Sequence, residues 1–322
     1  IDNNGLPNVE LAYQDGRLGF SDINHDYILG KNPVISKRKR VEPGLHRTLF
    51  VNDELMSFLN GGYGEKFYEL PVTRTGAKPA VTIRSGSINA ITHCGDEVWG
   101  YFEPNGGAPT TGPTVDIRRI EPWSEDMWTL TTTEQTMSAN TAACNGTMLV
   151  GVGYFESNDL HKDVVLTTDI TTGKSSIKNL TGHLNPKRTQ NEDVTYWSTG
   201  LIDSDLYAAV GYQRPEQNHY ELVRIDTQTG KSEKVTTIKN TADNDTLFRI
   251  EGEVLYALDV TWGQPSKVRA FRLTDGAELG SFDFEAISPT INKRTTVFED
   301  EYFVTDFVVL QPELLKVATP TS

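Results

Sequence analysis

The sequence predicts an all-β fold in which one four-stranded unit is repeated around a ring. Three observations predict it. Short hairpin corners recur at a steady spacing, a second turn motif recurs between them, and amphipathic helical periodicity is hard to find anywhere in the chain. With 322 residues, 37% of them hydrophobic and 9% aromatic, the chain is long and apolar enough to form a core.

The corners are the most direct signal. The stretch CGDEVWGYFEP, starting at Cys94, is echoed fifty residues later by CNGTMLVGVGYFES, starting at Cys144. Five more segments align with them, making the series QDGRLGF (14–20), NDELMSF (52–58), GDEVWGY (95–101), NGTMLVG (145–151), DSDLYAA (203–209), EGEVLYA (251–257) and EDEYFVT (299–305). Each begins with acidic, Asn or Gly residues suited to a tight turn and continues as a strand of apolar and small residues. Taking the second turn residue as an anchor gives Gly16, Asp53, Asp96, Gly146, Ser204, Gly252 and Asp300, at intervals of 37, 43, 50, 58, 48 and 48.

The inner motif follows an anchor by 23 to 27 residues, counted to its Gly, in TRTGAK (73–78), DITTGK (169–174), DTQTGK (226–231) and LTDGAE (273–278). In the third unit EPWSED (121–126) falls at that offset without the Thr-Gly. Alternating strands flank these turns, so each unit reads as two hairpins. Four-stranded units at this period are the signature of a β-propeller. A sandwich does not repeat sevenfold, and a β-helix repeats at about half this length or less. The expectation is therefore one domain over residues 1–322, a seven-bladed β-propeller of four-stranded blades. The last anchor leaves 22 residues, too few for a full blade, so IDNNGLPN at the start would supply the missing strand; six blades plus a closing unit is the alternative. The D-x-x-T-G-K turns resemble those of bacterial propellers of the quinoprotein-like and surface-layer (YVTN-like) type. That resemblance implies that these turns join the two outer strands of a blade; it lies in structural turns and implies no activity.

Charge and missing motifs exclude several functions. The formal charge is −14, so nucleic acid is a poor partner for a chain without a net excess of Lys and Arg. The longest strongly apolar run, MLVGVGYF (148–155), is far short of the ~20 residues that span a bilayer, so no membrane insertion is expected. There is no Walker loop, G-x-S-x-G elbow, HExxH or CxxC, and no cofactor or metal is expected. Abundant Thr, Asn, Gly and Asp with two Cys suggest an extracytoplasmic protein, periplasmic, secreted or surface-anchored through a leader that lies outside this sequence. Cys94 and Cys144 end adjacent inner strands, and either a bridge or two buried thiols is consistent with the sequence.

The repeat also predicts which residues ring a channel mouth. Six positions before the anchors stand Glu10, Arg47, Ala90, Asn140, Ser198, Thr246 and Arg294; one position earlier stand Val9, His46, Asn89, Ala139, Trp197, Asp245 and Lys293. His46, Arg47, Lys293 and Arg294 bring positive charge to an acidic chain, and KRKR (37–40) and Lys187–Arg188 add more. An Arg fork suits paired carboxylate, sulfate or phosphate oxygens. Tyr196 and Trp197 offer aromatic faces for a sugar. The candidate ligand site is thus His46, Arg47, Asn89, Asn140, Tyr196, Trp197, Asp245, Lys293 and Arg294. A purely structural reading pairs the two Arg with Glu10, Asp245 or inward carbonyls.

A second candidate set is catalytic. His161 and His219 each stand 15 residues beyond an anchor, with Tyr220, Lys162 and Arg214 nearby, a general acid, base and clamp fit for β-elimination from a uronic acid. Asp159, Asp163 and Glu221 would turn the same cluster into a metal site, and inheritance through the repeat accounts for the shared offset without any function. Binding leads: an extracytoplasmic protein holding an anionic small molecule or acidic glycan, such as a ferric siderophore or acidic oligosaccharide, for a membrane transporter. A polysaccharide lyase or glycosidase using His161, His219 and Tyr220 is the first alternative, and a protein-interaction scaffold the second.

Overall fold

The computed structural model describes residues 12–14, 17–21, 25–29, 35–39, 46–51, 54–59, 69–70, 81–82, 86–104, 114–121, 127–131, 136–157, 160–184, 188–189, 194–212, 219–239, 246–259 and 266–284. The described residues form β-strands and turns. Unit one is β1 (Ala12–Gln14), β2 (Arg17–Ser21), β3 (His25–Leu29) and β4 (Ile35–Lys39). Unit two supplies two pairs, β5 (His46–Val51) with β6 (Glu54–Leu59) and β7 (Glu69–Leu70) with β8 (Val81–Thr82). Unit three is β9 (Gly86–Cys94), β10 (Glu97–Pro104), β11 (Thr114–Glu121) and β12 (Met127–Thr131). Unit four is β13 (Thr136–Asn145), β14 (Met148–Ser157), β15 (Leu160–Asp169) and β16 (Ser175–Asn179). After β17 (Thr181–Gly182) and β18 (Arg188–Thr189) comes unit five: β19 (Val194–Ile202), β20 (Asp205–Tyr212), β21 (His219–Asp226) and β22 (Lys231–Ile238). Unit six is β23 (Thr246–Glu251), β24 (Val254–Asp259), β25 (Ser266–Arg272) and β26 (Glu278–Phe284). Units one and three to six are each an antiparallel sheet with neighbours in chain order. The seventh repeat at 299–305, the N-terminal closing segment and TRTGAK lie outside the described residues.

The corners are two-residue hairpins, as the composition requires, with one shift in register. The loop residues are Gly95–Asp96, Gly146–Thr147, Asp203–Ser204 and Gly252–Glu253, and the first of each pair has a positive φ of 54° to 63°. In units four and six the loop therefore starts on the anchor Gly itself, one residue later than the alignment of Asn145–Gly146 and Glu251–Gly252 had it. The chain puts the residue that best tolerates left-handed backbone at the first loop position, and Gly decides where that is.

The inner motif joins the third and fourth strands of units four, five and six, as the resemblance implied. Asp169 Oδ1 accepts from Thr171 N at 2.9 Å and Thr171 Oγ1 at 2.6 Å, and Asp226 Oδ1 accepts from Gln228 N at 2.8 Å. The Gly amides of the two turns donate to Asp169 O and Asp226 O at 2.7 and 2.8 Å. In unit six Arg272 stands where the Asp would be, and Asp275 takes over the turn by accepting from Ala277 N at 3.0 Å. These donors hold all three carboxylates below their ordinary titration range. The turn Gly has a second duty. A Cβ on Gly173 would clash with the Trp128 ring of the preceding unit, and one on Gly276 would meet Thr236 Cβ at 2.6 Å.

Both faces of each central sheet are buried, which is why the strands read as near-continuous apolar runs. In unit four Ala142, Leu149, Val164 and Leu166 pack toward unit three, while Ala143, Val150, Val152 and Val165 pack toward unit five. Unit five repeats the alternation, with Leu206, Ala208 and Val210 on one side and Tyr207, Ala209 and Leu222 on the other. Neighbouring sheets also meet through their first strands, β9 on β13, β13 on β19 and β19 on β23, making these the inner strands. Three cross-links hold the inner strands together. Cys94 and Cys144 form a disulfide with Cα atoms 5.2 Å apart, Thr141 and Thr199 share a hydroxyl hydrogen bond at 3.1 Å, and Ser198 Oγ accepts from Ile250 N at 2.9 Å.

The longest repeat interval, 58 residues, ends at Ser204, and it contains an excursion. After β16 the chain crosses to unit five, where β17 runs parallel to β22, then returns so that β18 pairs with the start of β15. Ser232 pins the crossing: its Oγ donates to Thr181 O at 2.6 Å and accepts from Leu184 N at 2.8 Å.

Candidate functional site

The inner strands break their ladders at one repeated place. Opposite β10, Ala90 pairs with Tyr101 and Ile88 with Phe102, leaving Asn89 as an extra residue. Opposite β14, Asn140 is left over between Ala139 and Thr141, and opposite β20 Trp197 is left over between Tyr196 and Ser198. All three bulged residues stand six positions before the first residue of their hairpin loop, about 20 Å along the strand from it at ~3.3 Å per residue. A bulge frees its extra residue from the ladder and re-aims it, and bulges concentrate beside functional sites. His46 and Thr246 open β5 and β23 at the same count, without a bulge.

This register regroups the predicted ligand residues. His46, Asn89, Asn140, Trp197 and Thr246 form one row, to which the sequence adds Lys293. Arg47 falls with Ala90, Thr141 and Ser198, a row that is buried in units three to five and cross-links the inner strands in units four to six. For His46, Arg47, Asn89, Asn140 and His161 the structure describes the backbone alone, and Asp245, Lys293 and Arg294 lie outside the described residues. Tyr196 and Trp197 do not share a face. Tyr196 is buried in the core toward unit four, whereas Trp197 packs toward unit six with its Nε1 over Gly211, where an added Cβ would come within 2.6 Å. That Nε1 is buried and has no hydrogen-bond partner among the described residues.

The catalytic set separates for the same reason, since successive strand residues point to opposite faces. Tyr220 is buried toward unit six, edge-on to Phe248 at 4.9 Å between centroids. His219 stacks on Tyr212 at 4.6 Å, on the face that carries Glu221. There the structure assembles a cluster the sequence did not single out. Glu221, with a side chain 6% exposed, has Oε2 2.6 Å from His183 Nε2, and Oε1 lies 3.7 Å from both His219 Nε2 and Lys234 Nζ. Burial alone would raise the Glu221 carboxyl. Hydrogen bonds from His183 and Tyr212, with the positive charge of His183 and Lys234, outweigh it and hold the group below its ordinary range. Because an ionised carboxylate only accepts, His183 Nε2 carries the proton of that bond.

His183 went unnoticed because it lies in the excursion, outside the repeat, where no offset marks it; the long interval was the available signal. Among the described residues no three His, Cys, Asp or Glu side chains are grouped as a metal site, so Asp163 and Glu221 do not form one with His219.

No protein-family model matches the chain, and no curated protein sequence matches it. Solved structures do match in shape. An ulvan lyase of polysaccharide lyase family PL25 has a TM-score of 0.55 at 9% identity, covering 88% of this chain and 86% of its own. Hydrazine synthase of Kuenenia stuttgartiensis has a TM-score of 0.51 at 11% identity, covering 82% and 76%. The β-propeller domain of the trilobed protease from Pyrococcus furiosus matches at 0.47 and 14%, covering 84% and 82%. Identities this low speak to the fold alone. The chain is an all-β protein of four-stranded antiparallel sheets whose structural neighbours are β-propellers.

Proposed function

We propose that this chain is an extracytoplasmic binding protein that holds an anionic small molecule or acidic glycan where its inner strands open, at the end away from the hairpins. The observation that carries this reading is the bulge repeated at Asn89, Asn140 and Trp197. Three neighbouring inner strands give up ladder pairing at one level, and bulges concentrate at sheet edges and beside functional sites. The register puts His46 in the bulge row and the sequence spacing adds Lys293, so these are the cations we assign first to the ligand, with Arg47 one position toward the hairpins and Arg294 beside Lys293 in sequence. The disulfide supports an oxidising compartment, since such bonds persist outside the cytosol. A membrane transporter is the partner such a carrier would serve.

The probe of choice is the glucuronate–rhamnose-3-sulfate unit, because one ulvan lyase structure is of the enzyme bound to it. A ligand at a hundred times its Kd stabilises the folded state by about 2.7 kcal/mol, easily read as a rise in melting temperature. The expected result is such a rise, much reduced in the double variant His46→Gln, Lys293→Gln. A melting temperature indifferent to this probe, to sulfated sugars and to ferric chelates alike overturns the reading. The lyase reading predicts in addition new unsaturated uronate ends, absorbing in the ultraviolet, which a binding protein does not make. It ranks second because His219 and Tyr220 face apart.

A further inference from the structure

The excursion after unit four has a consequence separate from the channel. It lays residues 181–184 along the outer strand of unit five and delivers His183 to Glu221, and its return strand puts the backbone of Arg188 opposite His161. The two His loops that the repeat offset connected are thus spanned by one inserted segment.

We propose that this insertion completes a second ligand site, at the junction of units four and five, in which Lys234 and His219 hold a carboxylate or sulfate oxyanion beside the His183–Glu221 pair. The geometry points there because the cluster has donors to spare. Glu221 Oε2 accepts from His183, but His219 Nε2 and Lys234 Nζ both stop 3.7 Å from Oε1, beyond hydrogen-bonding distance. Neither makes a hydrogen bond to any other described residue. Glu221 fixes where these two donors gather without consuming them, and an oxyanion reaching the cluster would take one hydrogen bond from each. Their exposure suits a visiting group: the side chains of His183, His219 and Lys234 are 32%, 34% and 45% exposed, and only the carboxylate between them is buried. The Tyr212 ring stacked under His219 holds the imidazole plane. The site lies on the outer strands of unit five, level with the bulge row but two strands away from it, since Glu221 pairs with Val210 and Val210 with Tyr196; its donors are not those of the channel reading.

The test is an NMR titration of the folded protein, whose six His give few enough imidazole signals to assign with His183→Gln and His219→Gln. The probes are sodium glucuronate and inorganic sulfate, added separately. The expected result is saturable movement of the His183 and His219 signals, weakened about tenfold in Lys234→Gln and unchanged in Lys231→Gln, whose lysine pairs with Glu233 instead. Response to glucuronate alone identifies a carboxylate ligand, to sulfate alone a sulfate ester, and to both a site that reads charge. No saturable movement with either probe, or the same midpoint in Lys234→Gln, overturns the proposal. The His46→Gln, Lys293→Gln variant should leave these shifts intact, so failure of one site is not failure of the other.

Discussion

The junction of units three and four and the junction of units four and five are built on one plan and finished differently. Both stack apolar strand faces at matching heights. The three/four junction is then closed: Tyr101 crosses it to lie on Gly151, where a Cβ would come within 2.8 Å of the ring, its hydroxyl donates to Leu149 O at 3.3 Å, and the disulfide ties the inner strands together. The four/five junction has a comparable core of Val150, Val152, Val165, Leu206 and Val223, yet its outer part is left polar, with Glu221 buried among two imidazoles and a lysine. A buried carboxylate adds little stability over an apolar replacement. The contrast is between a seam closed by packing and a covalent bond and a seam left polar in its outer part.

The comparison can be broken in three ways. The largest effect is expected from Tyr101→Ala, which empties a fully buried aromatic site facing a glycine. It should cost about 3–5 kcal/mol, read from denaturant unfolding. A loss under about 1 kcal/mol would mean the seam is not locked by that ring. Next comes the double variant Cys94→Ala, Cys144→Ala. The bridge closes a separation of 50 residues, so its removal should cost about 2–4 kcal/mol. An unchanged midpoint under reducing conditions would deny the bridge a stabilising role.

The smallest effect, and the sharpest, is in the pH dependence of stability. Burial pushes the Tyr101 phenol above its ordinary range, and hydrogen bonds from Thr168 and the Gly151 backbone offset only part of that shift. Its contribution is complete below the ordinary phenol pKa of about 10 and is lost as pH climbs through the raised value. Glu221 runs the other way: held below its ordinary value of about 4.3, it contributes above that pH and loses its contribution as pH falls through the lowered one. Tyr101→Phe should therefore flatten the alkaline limb of a melting-temperature profile and Glu221→Gln the acid limb. If either variant alters the opposite limb, the assignment of titrating groups to the two seams is wrong.

How much was legible follows from where each signal resides. The corners and the D-x-x-T-G-K turns were readable because their chemistry is local. A left-handed residue needs Gly or Asp whatever lies around it, and an Asp two residues before an amide captures it within the turn. Even the slip of one residue at Gly146 and Gly252 is explained by that local preference. The bulge row was half legible: Asn89, Asn140 and Trp197 were all singled out, but in two different rows, since the extra residue in each strand shows only once the partner strand is in place. The pairing of Tyr196 with Trp197, and of His219 with Tyr220, treated sequence neighbours as spatial ones; strand alternation sends them to opposite seams.

By itself, then, the sequence determined the repeated unit, its turns, and strands apolar on both faces, because backbone conformation and the period of burial are written in short stretches of chain. Only the tertiary structure decided which residues meet: Cys94 with Cys144, Tyr101 with Gly151, His183 with Glu221. Those meetings depend on the register between strands and the stacking of sheets, and these are set by side chains fifty residues apart competing for the same buried space.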